Sequence, residues 1–589
     1  MTPAACLPAG TPNPFVEQLL SLHQLGLVSP SPQIHPALQP VRTPLQTDQW
    51  EVLLHQHPDP QLTDWLICGL KEGFRIGFDR RQKLRSATSN VQGTSDHPDI
   101  VSAYLQSERE RQTLLGPFEK QSMPHIHVSK FGIIPKSHQP GKWRLIVDLS
   151  SPAGWSINDG IPSELCSLSY IRMEHVVQRL IDLGPSAQMA KFDIKSAYRL
   201  IPVHPQDRYL LGMCWDGKLY VDAALPFGLR SAPKIFTAVA DALEWIFHTQ
   251  GVENVWHYLD DFITVGPPGS SECQANISTM VELCKRLGVP LAEEKLVDAC
   301  TCLTFLGIEI DTVLGVLRLP AEKLSRFKST VTQWVGKRTC TKRELLSLIG
   351  QLQHASVVVR PGRPFLRRMI NLSKSVGKLT HHVRINHQAR SDIMWWNVFL
   401  ETWNGVSLLS MAGRREPDTS FASDASGSWG CGAYWAHTWF QLAWSDATAL
   451  QGKNIATQEL LPIVLAAAVW GRRWTGLHIQ CLCDNEAVVA VINSRSCKDG
   501  DMLYLLRSLF FFEAEFQFSL VAAHIPGNQN TLADALSRNN LPLFLQLSSQ
   551  EVSGPTSLPA PLLELLAIQR PDWTSAAWRE KFKDILKLA

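Results

Sequence analysis

Residues 256–266 read WHYLDDFITVG, and this stretch decides the fold class. Two adjacent acids, Asp260 and Asp261, stand between two short runs rich in aromatic and β-branched residues, which predicts a β-hairpin with the carboxylates at its tip. A third acid, Asp193, ends the apolar run AQMAKFDI. A carboxylate at the end of a buried strand is unfavourable without a partner. The three acids therefore predict a site for a hard divalent cation, Mg²⁺ with Mn²⁺ as a possible substitute.

The chain around this hairpin alternates between strand-like and helix-like stretches from about residue 125. This alternation predicts a mixed α/β domain rather than a helical bundle or an all-β fold. The strand-like runs are GKWRLIVDLS, KLYVDAAL and TFLGIEID, and the helix-like runs are RMEHVVQRLIDL, APKIFTAVADALEWIF and QANISTMVELCKRLG.

Five motifs in this segment, in their order and spacing, resemble those of reverse transcriptases over roughly residues 125–312. They are Lys142-Trp143-Arg144, Phe192-Asp193 with Tyr198, Leu225-Pro226-Phe227-Gly228-Leu229 with Ser231-Ala232-Pro233, Tyr258-Leu259-Asp260-Asp261, and Phe305-Leu306-Gly307-Ile308-Glu309. The resemblance implies a right-hand polymerase with fingers, palm and thumb. It also implies that Asp193 and Asp260 are metal ligands, with Asp261 adjacent and the Ile194 carbonyl assisting.

The same resemblance assigns the nucleotide site. Arg144 corresponds to the clamp on the incoming triphosphate, with Lys136 as a second cation. Tyr198 corresponds to the steric gate that selects deoxynucleotides, and Phe227-Gly228 to the floor of the site. Lys295 corresponds to a cation near the leaving pyrophosphate. The alternatives are a strand-end surface charge for Arg144, a core aromatic for Tyr198 and a solvated lysine for Lys295.

Charge is unevenly distributed along the chain. The whole chain has a formal net charge of +2, but residues 311–400 hold sixteen Lys/Arg and only four Asp/Glu. Aromatic residues are interspersed in this basic block at Phe327, Trp334 and Phe365. The pattern predicts a helical thumb and connection that hold the phosphates of a duplex. A solvated helix surface is the alternative, but it would be expected to carry compensating acids four residues apart.

Four further acids are spaced along residues 417–540. Asp424 and Asp484 end strand-like runs, whereas Glu459 and Asp534 lie in helical ones. The alternating pattern resembles the ribonuclease H family and implies two Mg²⁺ ions per site, as in the polymerase. His524, ten residues before Asp534, matches the mobile histidine of that family. Buried ion pairs are the alternative for the acids, and a loop histidine is the alternative for His524.

Cysteine usage and hydropathy restrict the class of protein further. The thirteen cysteines are scattered and include no CxxC, which favours a reducing compartment. Cys481 and Cys483 lie in an apolar run, where small buried side chains are the favoured interpretation over metal ligands. No stretch approaches the length of a membrane span. We therefore predict an intracellular protein, cytoplasmic and/or nuclear, with no membrane partner. The oligomeric state is left open.

These patterns predict a multidomain α/β and α+β chain in six segments. They are a flexible Pro-rich leader (1–46), a helical N-terminal extension (47–120), reverse transcriptase fingers and palm (121–312), a basic thumb/connection (313–416), a ribonuclease H-like domain (417–540) and a tail (541–589). The phrases LKEGFRIGF, SSPAGWSIND and HIPGNQNTLADALSR most resemble DIRS/Ngaro-type retroelements. Those elements carry a tyrosine recombinase, and the tail resembles the lead-in to it, so we expect a fragment or a truncated copy.

The implied activity is RNA-directed DNA polymerisation combined with degradation of the RNA strand. Its partners would be an RNA template, a DNA primer, the RNA–DNA hybrid and deoxynucleoside triphosphates. One alternative is a decayed or domesticated chain that binds hybrids or other proteins without catalysis, although all seven acids are intact. A gypsy-type or pararetroviral polymerase is the other alternative, and it differs only in lineage.

Overall fold

A computed structural model of the chain describes residues 14–28, 34–91, 93–135, 143–402, 406–407, 416–548, 553–559 and 562. The chain divides into two compact units, residues 1–306 and 307–589. Within the described residues, no helix combines the length and the apolar character needed to cross a lipid bilayer.

The first unit is a mixed α/β structure. Its helices are α1 (Pro14–Leu25), α2 (Thr47–Leu54), α3 (Pro60–Glu72), α4 (Gly93–Asp96), α5 (Pro98–Glu110), α6 (Met173–Leu183), α7 (Ala232–Thr249) and α8 (Glu272–Leu287). Its strands are β1 (Leu114–Phe118), β2 (Lys130–Pro135), β3 (Trp143–Asp148), β4 (Gln188–Asp193), β5 (Gly212–Trp215), β6 (Lys218–Asp222), β7 (Val255–Tyr258), β8 (Asp261–Gly266), β9 (Val297–Cys300) and β10 (Cys302–Phe305).

The central sheet of this unit has the strand order β7-β8-β4-β9, and its strands run antiparallel. Phe192 on β4 is opposite Phe262 on β8, and both side chains are fully buried. The apolar helix α7 belongs to the same hydrophobic core. Ala190 and Phe192, two residues apart on β4, are both buried, and the β4–β8 register brings the strand-end acids to one edge of the sheet. Two smaller sheets, β1-β6-β5 and β2-β3, complete the unit.

The N-terminal segment differs from the expectation. A flexible leader was predicted for residues 1–46, but α1 buries Val16, Leu19 and Leu22 in the main core. These three residues repeat every third position and so lie on one helix face. Leu45 is also buried, and Thr43 Oγ1 donates to the Leu200 carbonyl at 2.7 Å. The prediction of a flexible leader is therefore wrong for these described parts.

The predicted N-terminal extension is also part of the core. Trp50 on α2 is fully buried, and its Nε1 donates to the Leu287 carbonyl at 3.1 Å. Leu66 on α3 and Phe74 belong to the same core cluster as Phe192. Residues 47–120 are mainly helical, as expected, but they complete the α/β unit instead of preceding it.

The second unit begins with small sheets and helices and ends with a larger sheet. Its helices are α9 (Ala321–Val335), α10 (Lys342–Ala355), α11 (Arg367–Lys374), α12 (His387–Thr402), α13 (Ile455–Trp470), α14 (Glu486–Ser494), α15 (Gly500–Phe516), α16 (Thr531–Ser537) and α17 (Leu541–Leu547). Its strands are β11 (Ile308–Asp311), β12 (Val316–Arg318), β13 (Thr339–Thr341), β14 (His382–Arg384), β15 (Val406–Ser407), β16 (Thr419–Ala425), β17 (Gly430–Trp435), β18 (Thr438–Ala443), β19 (His478–Cys483) and β20 (Ser519–His524).

The basic block is mostly helical, as predicted, and comprises α9 to α12. A buried ion pair joins it to a later helix of the same unit: Arg507 Nη1 on α15 lies 2.6 Å from Asp392 Oδ1 on α12, and both side chains are fully buried. The Arg507 guanidinium also lies over the Phe365 ring, 4.2 Å from its centroid. A planar guanidinium suits such a site because it pairs and stacks at once.

The larger sheet of the second unit has the strand order β18-β17-β16-β19-β20. β16, β17 and β18 are antiparallel neighbours, whereas β19 runs parallel to β16 and to β20. The almost wholly apolar helix α13 packs on β16 and β17. This five-stranded mixed sheet and the helices packed on it form an α/β structure within residues 417–540. The predicted fold class, a multidomain α/β and α+β chain, is confirmed.

Candidate active sites

The first candidate site is the tip of the β7–β8 hairpin together with the end of β4. Leu259 and Asp260 form the two-residue turn, and Leu259 has a positive φ of 55°. Asp261 is paired with Asp193 across the β8–β4 ladder, and the Ile194 amide donates to the Asp260 carbonyl at 2.8 Å. Register and turn geometry thus bring the three predicted acids together.

The electrostatics of this site are those of crowded carboxylates. Burial raises the pKa of Asp261, the charge of Lys191 opposes this shift and the charges of Asp193 and Asp260 add to it, so that the pKa is about 6. Burial and the nearby Asp193 also raise the pKa of Asp260. Asp261 Oδ1 is buried and has no hydrogen-bond partner among the described residues; Lys191 Nζ lies 3.8 Å from it. An all-oxygen donor set with an unpartnered carboxylate oxygen fits a hard divalent cation.

Lys295 lies at the same site. Its Nζ donates to Asp193 Oδ2 at 2.8 Å, although about half of the lysine side chain is exposed. Burial alone would lower the pKa of Lys295, but the hydrogen bond to Asp193 and the charges of the three acids raise it. The structure therefore places this lysine in direct contact with Asp193.

Two further predicted residues are in ring contact. The centroids of Tyr198 and Phe227 are 5.4 Å apart, and Tyr198 is also 5.6 Å from Phe236. Burial raises the pKa of Tyr198 to about 12, so the phenol stays protonated at neutral pH. Phe227 is 40% exposed, so its ring forms part of the open surface beside Tyr198. This geometry suits a ring that faces a substrate sugar.

Gly228 has a structural reason to be glycine. Its φ is +90°, and a Cβ atom there would lie 3.2 Å from the Val147 carbonyl oxygen on β3. Asn158 Nδ2 donates to its carbonyl at 2.8 Å, which holds the turn in place. A side chain at this position would force the Phe227 turn away from β3.

The remaining predicted cations are less closely tied to the acids. Arg144 is exposed on β3, opposite Ile134. Among the described residues, no hydrogen bond or ion pair links Arg144 with the three acids. Lys136, like Lys142 of the first motif, lies outside the described residues.

The sequence interpretation missed the buried network around Arg199, the residue after Tyr198. Arg199 Nε lies 2.8 Å from Glu108 Oε2, and its Nη1 lies 2.8 Å from Asp222 Oδ1. The guanidinium also donates to the carbonyls of Ala224 and Thr113, at 3.2 and 3.0 Å. It thus anchors the segment that leads to Phe227. An arginine inside the apolar run SAYRLIPV was the available signal, because arginine is rarely buried unless paired.

The second candidate site is the edge of the five-stranded sheet. Asp424 lies near the end of β16, and Asp484 follows β19, so the parallel pairing of these strands brings both acids to one edge. Glu459 on α13 and Asp534 on α16 complete the predicted set. Asp424 and Glu459 are only 5% and 4% exposed.

The charges of these acids are strongly coupled. Burial, reinforced by Asp424 and Asp484, raises the pKa of Glu459 to about 9. Burial also raises the pKa of Asp424 to about 6, with Asp484 and Asp534 adding to the shift. Glu459 Oε2 is buried, and no residue that the structure describes forms a hydrogen bond with it. The donor set therefore fits a divalent cation here as well.

The neighbours of this site differ in how they contact the acids. Ser537 Oγ donates to Asp424 Oδ2, and Arg538 Nε donates to Asp534 Oδ1 at 2.7 Å; the sequence interpretation included neither residue. His524 is exposed at the end of β20, opposite Cys483 in the ladder. The loop after it passes the site, since a Cβ at Gly527 would lie 3.2 Å from Asp484 Oδ2. Thus His524 is near the sheet edge that carries the acids.

Comparison with known proteins identifies the class of the first site. Residues 134–310 match the family model described as "Reverse transcriptase (RNA-dependent DNA polymerase)". This match contains the three acids, Tyr198 and Phe227. The chain therefore carries a reverse transcriptase domain, and the resemblance inferred from the motifs is confirmed for that segment.

The related curated proteins are polyproteins of viruses and transposons. The chain is 25% identical over 285 residues to the Pro-Pol polyprotein of Feline foamy virus, which covers 48% of the chain and 22% of that protein. It is 25% identical over 243 residues to the genome polyprotein of Petunia vein clearing virus (isolate Hohn), covering 40% of the chain and 10% of the relative. It is 23% identical over 507 residues to the Retrovirus-related Pol polyprotein from transposon gypsy of Drosophila melanogaster, covering 80% and 46%.

The chain thus spans less than half the length of each of these relatives. Among solved structures, it is similar to the foamy viral protease-reverse transcriptase dRH in complex with double-stranded DNA, with a TM-score of 0.45 and 14% identity over 85% of the chain and 84% of that protein. The complex of foamy viral protease-reverse transcriptase with an RNA/DNA hybrid gives a TM-score of 0.42 and 11% identity, covering 87% of each chain.

Proposed function

We propose that this chain is an RNA-directed DNA polymerase with ribonuclease H activity. The observation that carries the proposal is the meeting of Asp193, Asp260 and Asp261 at one sheet edge inside a segment of reverse transcriptase type. Two bound Mg²⁺ ions would activate the primer 3′-hydroxyl and stabilise the leaving pyrophosphate. Asp193 and Asp260 would hold them, with Asp261 and the Ile194 carbonyl beside them.

The other residues of the polymerase site then have defined tasks. Tyr198 excludes a 2′-hydroxyl by its ring, and Phe227-Gly228 supports the nucleotide from below. Lys295 neutralises Asp193 in the free enzyme and supplies positive charge, or a proton, to the leaving pyrophosphate. Arg144 pairs with the triphosphate through the bidentate fork of its guanidinium, and Lys136 adds a second positive charge.

The sheet-edge acids of the second unit would degrade the RNA strand of the hybrid product. Asp424, Glu459, Asp484 and Asp534 would hold two Mg²⁺ ions, which activate water and stabilise the leaving 3′-oxygen. His524 would move protons or assist product release from the edge of the site. Contacts to the 2′-hydroxyls of the hybrid restrict cleavage to RNA.

The partners follow from this chemistry: an RNA template, a DNA primer, their hybrid and deoxynucleoside triphosphates. The excess of cations over acids in residues 311–400 would supply the phosphate contacts. We further propose a retroelement of DIRS/Ngaro type as the source, on the motifs quoted above, and an intracellular site of action, cytoplasmic and/or nuclear.

Primer extension by the purified protein on an RNA template, with Mg²⁺, tests the polymerase. We expect activity that Asp260→Asn reduces by on the order of 10³-fold, because the substitution removes a metal ligand. The matched control is Asp216→Asn, an exposed acid in the β5–β6 turn, which should retain full activity. A wild type as inert as Asp260→Asn, with hybrid binding intact in both, would instead support the non-catalytic alternative.

Cleavage of the RNA strand of a labelled hybrid tests the nuclease separately. Asp484→Asn should abolish cleavage while primer extension continues. Glu486→Gln is the matched control, because Glu486 is exposed and only two residues away. Equal cleavage by wild type and Asp484→Asn would refute the assignment of the second site.

A further inference from the structure

The thiol of Cys483 lies among the acids of the second site. Cys483 is the last residue of β19 and precedes Asp484 directly. One ligand atom each from Glu459, Cys483 and Asp484 lies within 4.8 Å of the others. Cys483 is fully buried, as expected for the apolar run. Its thiol nevertheless lies close to two carboxylates in addition to apolar groups.

Glu459 provides an independent sign of a ligand. Its side chain is 4% exposed, and its Oε2 has no hydrogen-bond partner within the described parts of the chain. A buried carboxylate oxygen without a donor is unfavourable, and a bound cation removes that penalty. Glu459 and the Cys483 thiol belong to the same close group, so a cation bound to this carboxylate has the sulfur within reach.

We propose that Glu459, Cys483 and Asp484 form a site for a thiophilic divalent cation of the class of Zn²⁺, Cd²⁺ or Co²⁺, and that its occupancy blocks the nuclease. Such ions accept thiolate and carboxylate ligands together, whereas Mg²⁺ takes oxygen ligands only. On binding, the Cys483 thiol and the Glu459 carboxyl both release their protons to solvent, and the sulfur and a carboxylate oxygen form bonds to the metal. A solvent molecule can complete four-coordination.

Inhibition follows from shared ligands. Glu459 and Asp484 belong to the set proposed to hold Mg²⁺, so an ion drawn toward the Cys483 sulfur removes two carboxylates from that set. This inhibitory part rests on the proposed nuclease function, but the binding part does not. The two parts therefore need separate measurements.

Titration of the metal-free full chain with Cd²⁺ tests the binding part. Thiolate-to-metal charge-transfer absorption in the ultraviolet reports sulfur ligation directly. We expect wild type and Cys481→Ser to reach the same absorbance at saturation. Cys483→Ser should reach a lower absorbance, by the contribution of one thiolate–metal site. Cys481 is the matched control because it is equally buried, two residues earlier on the same strand. Equal absorbance in wild type and Cys483→Ser would overturn the proposal.

A second variant covers the case in which Cys483→Ser does not fold. Glu459→Gln keeps the thiol and removes one carboxylate, so it should weaken Cd²⁺ binding at this site by at least about tenfold. Unchanged Cd²⁺ affinity in Glu459→Gln would equally overturn the proposal.

Zn²⁺ inhibition of Mg²⁺-dependent RNA-strand cleavage tests the inhibitory part. The concentration for half inhibition should rise at least about tenfold in Cys483→Ser. An unchanged concentration would refute the inhibitory part. If wild type does not cleave at all, the proposed nuclease function fails, whereas the Cd²⁺ absorbance still decides whether the site exists.

Discussion

Lys295 Nζ lies 2.8 Å from Asp193 Oδ2, so a lysine contacts a carboxylate proposed to bind metal. The lysine takes the place of a counterion in the metal-free protein. A divalent ion entering the site competes with this contact for the Asp193 carboxylate. The same movement would free the ammonium to face the pyrophosphate.

Replacing Lys295 by methionine should therefore have two opposite effects. The apparent affinity for Mg²⁺ should increase, because the competing charge on Asp193 is gone. The rate of nucleotide addition should fall by about 10²-fold, because the positive charge or proton for the leaving group is lost. Mg²⁺ titrations of primer extension measure both, and Lys295→Arg is the control that keeps the charge. A variant with unchanged rate would exclude a role for Lys295 in the reaction.

The contact between the rings of Tyr198 and Phe227 predicts a change in sugar selectivity. Tyr198→Val removes the ring and should raise the relative kcat/KM for ribonucleotides by at least about tenfold. Tyr198→Phe keeps the ring and should retain the selectivity of wild type. Single-nucleotide addition with matched ribo- and deoxynucleoside triphosphates measures the ratio. Equal selectivity in all three proteins would make Tyr198 a core aromatic only.

The His257–Asp241 pair predicts a pH-dependent stability. His257 Nε2 lies 2.9 Å from Asp241 Oδ1. Burial alone would lower the pKa of His257, but the hydrogen bond to Asp241 and the charges of Asp241 and Glu244 raise it above 6.5. The stabilisation from this charged pair is complete below pH 6.5 and is lost as the pH rises through the raised pKa.

Urea unfolding between pH 6 and 9 measures this effect. The free energy of unfolding of wild type should decline over this pH range. In His257→Gln that decline should be smaller by on the order of 1 kcal/mol. His55→Gln, at an exposed histidine after α2, should leave the decline unchanged. A decline of the same size in His257→Gln would show that other groups cause it.

The Arg199 network predicts a large loss of stability. Arg199→Met removes the cation shared by the buried carboxylates of Glu108 and Asp222 and leaves Glu108 with the more exposed Arg111, which should lower the free energy of unfolding by about 3–5 kcal/mol. Lys71→Met is the control, because its ion pair with Glu51 is exposed to solvent and should contribute little to stability. Urea unfolding at pH 7 compares them. A similarly small loss of unfolding free energy in Arg199→Met and Lys71→Met would mean that Arg199 does not stabilise the buried network.

Local patterns in the sequence were enough to predict both acid constellations. Asp193, Asp261 and Asp484 stand at or next to the ends of apolar strands, so alternation along one strand already locates each carboxylate. The hairpin at 255–266 was predictable for the same reason. The roles of these residues stay predictions until the variants above are assayed.

Long-range pairing limited what the sequence could predict. Arg199 meets Glu108 from 91 residues away, and no local pattern selects that partner. Cys483 looks like an ordinary buried thiol until α13 brings Glu459 beside it. The leader was misjudged because its Pro and Gln content outweighed the helical spacing of Val16, Leu19 and Leu22.

The buried Asp392–Arg507 pair has a consequence for inheritance. Asp392 precedes and Arg507 follows the predicted boundary at 416/417. Both side chains are fully buried, so water cannot take the place of a missing partner. A recombination event at that boundary would introduce a new Arg507 without its own Asp392. In the opposite exchange, Asp392 would lose its own Arg507. Exchange of the C-terminal sheet between related elements should therefore succeed only when α12 travels with it. Crossovers are expected upstream of residue 387, and the two residues should be gained or lost together.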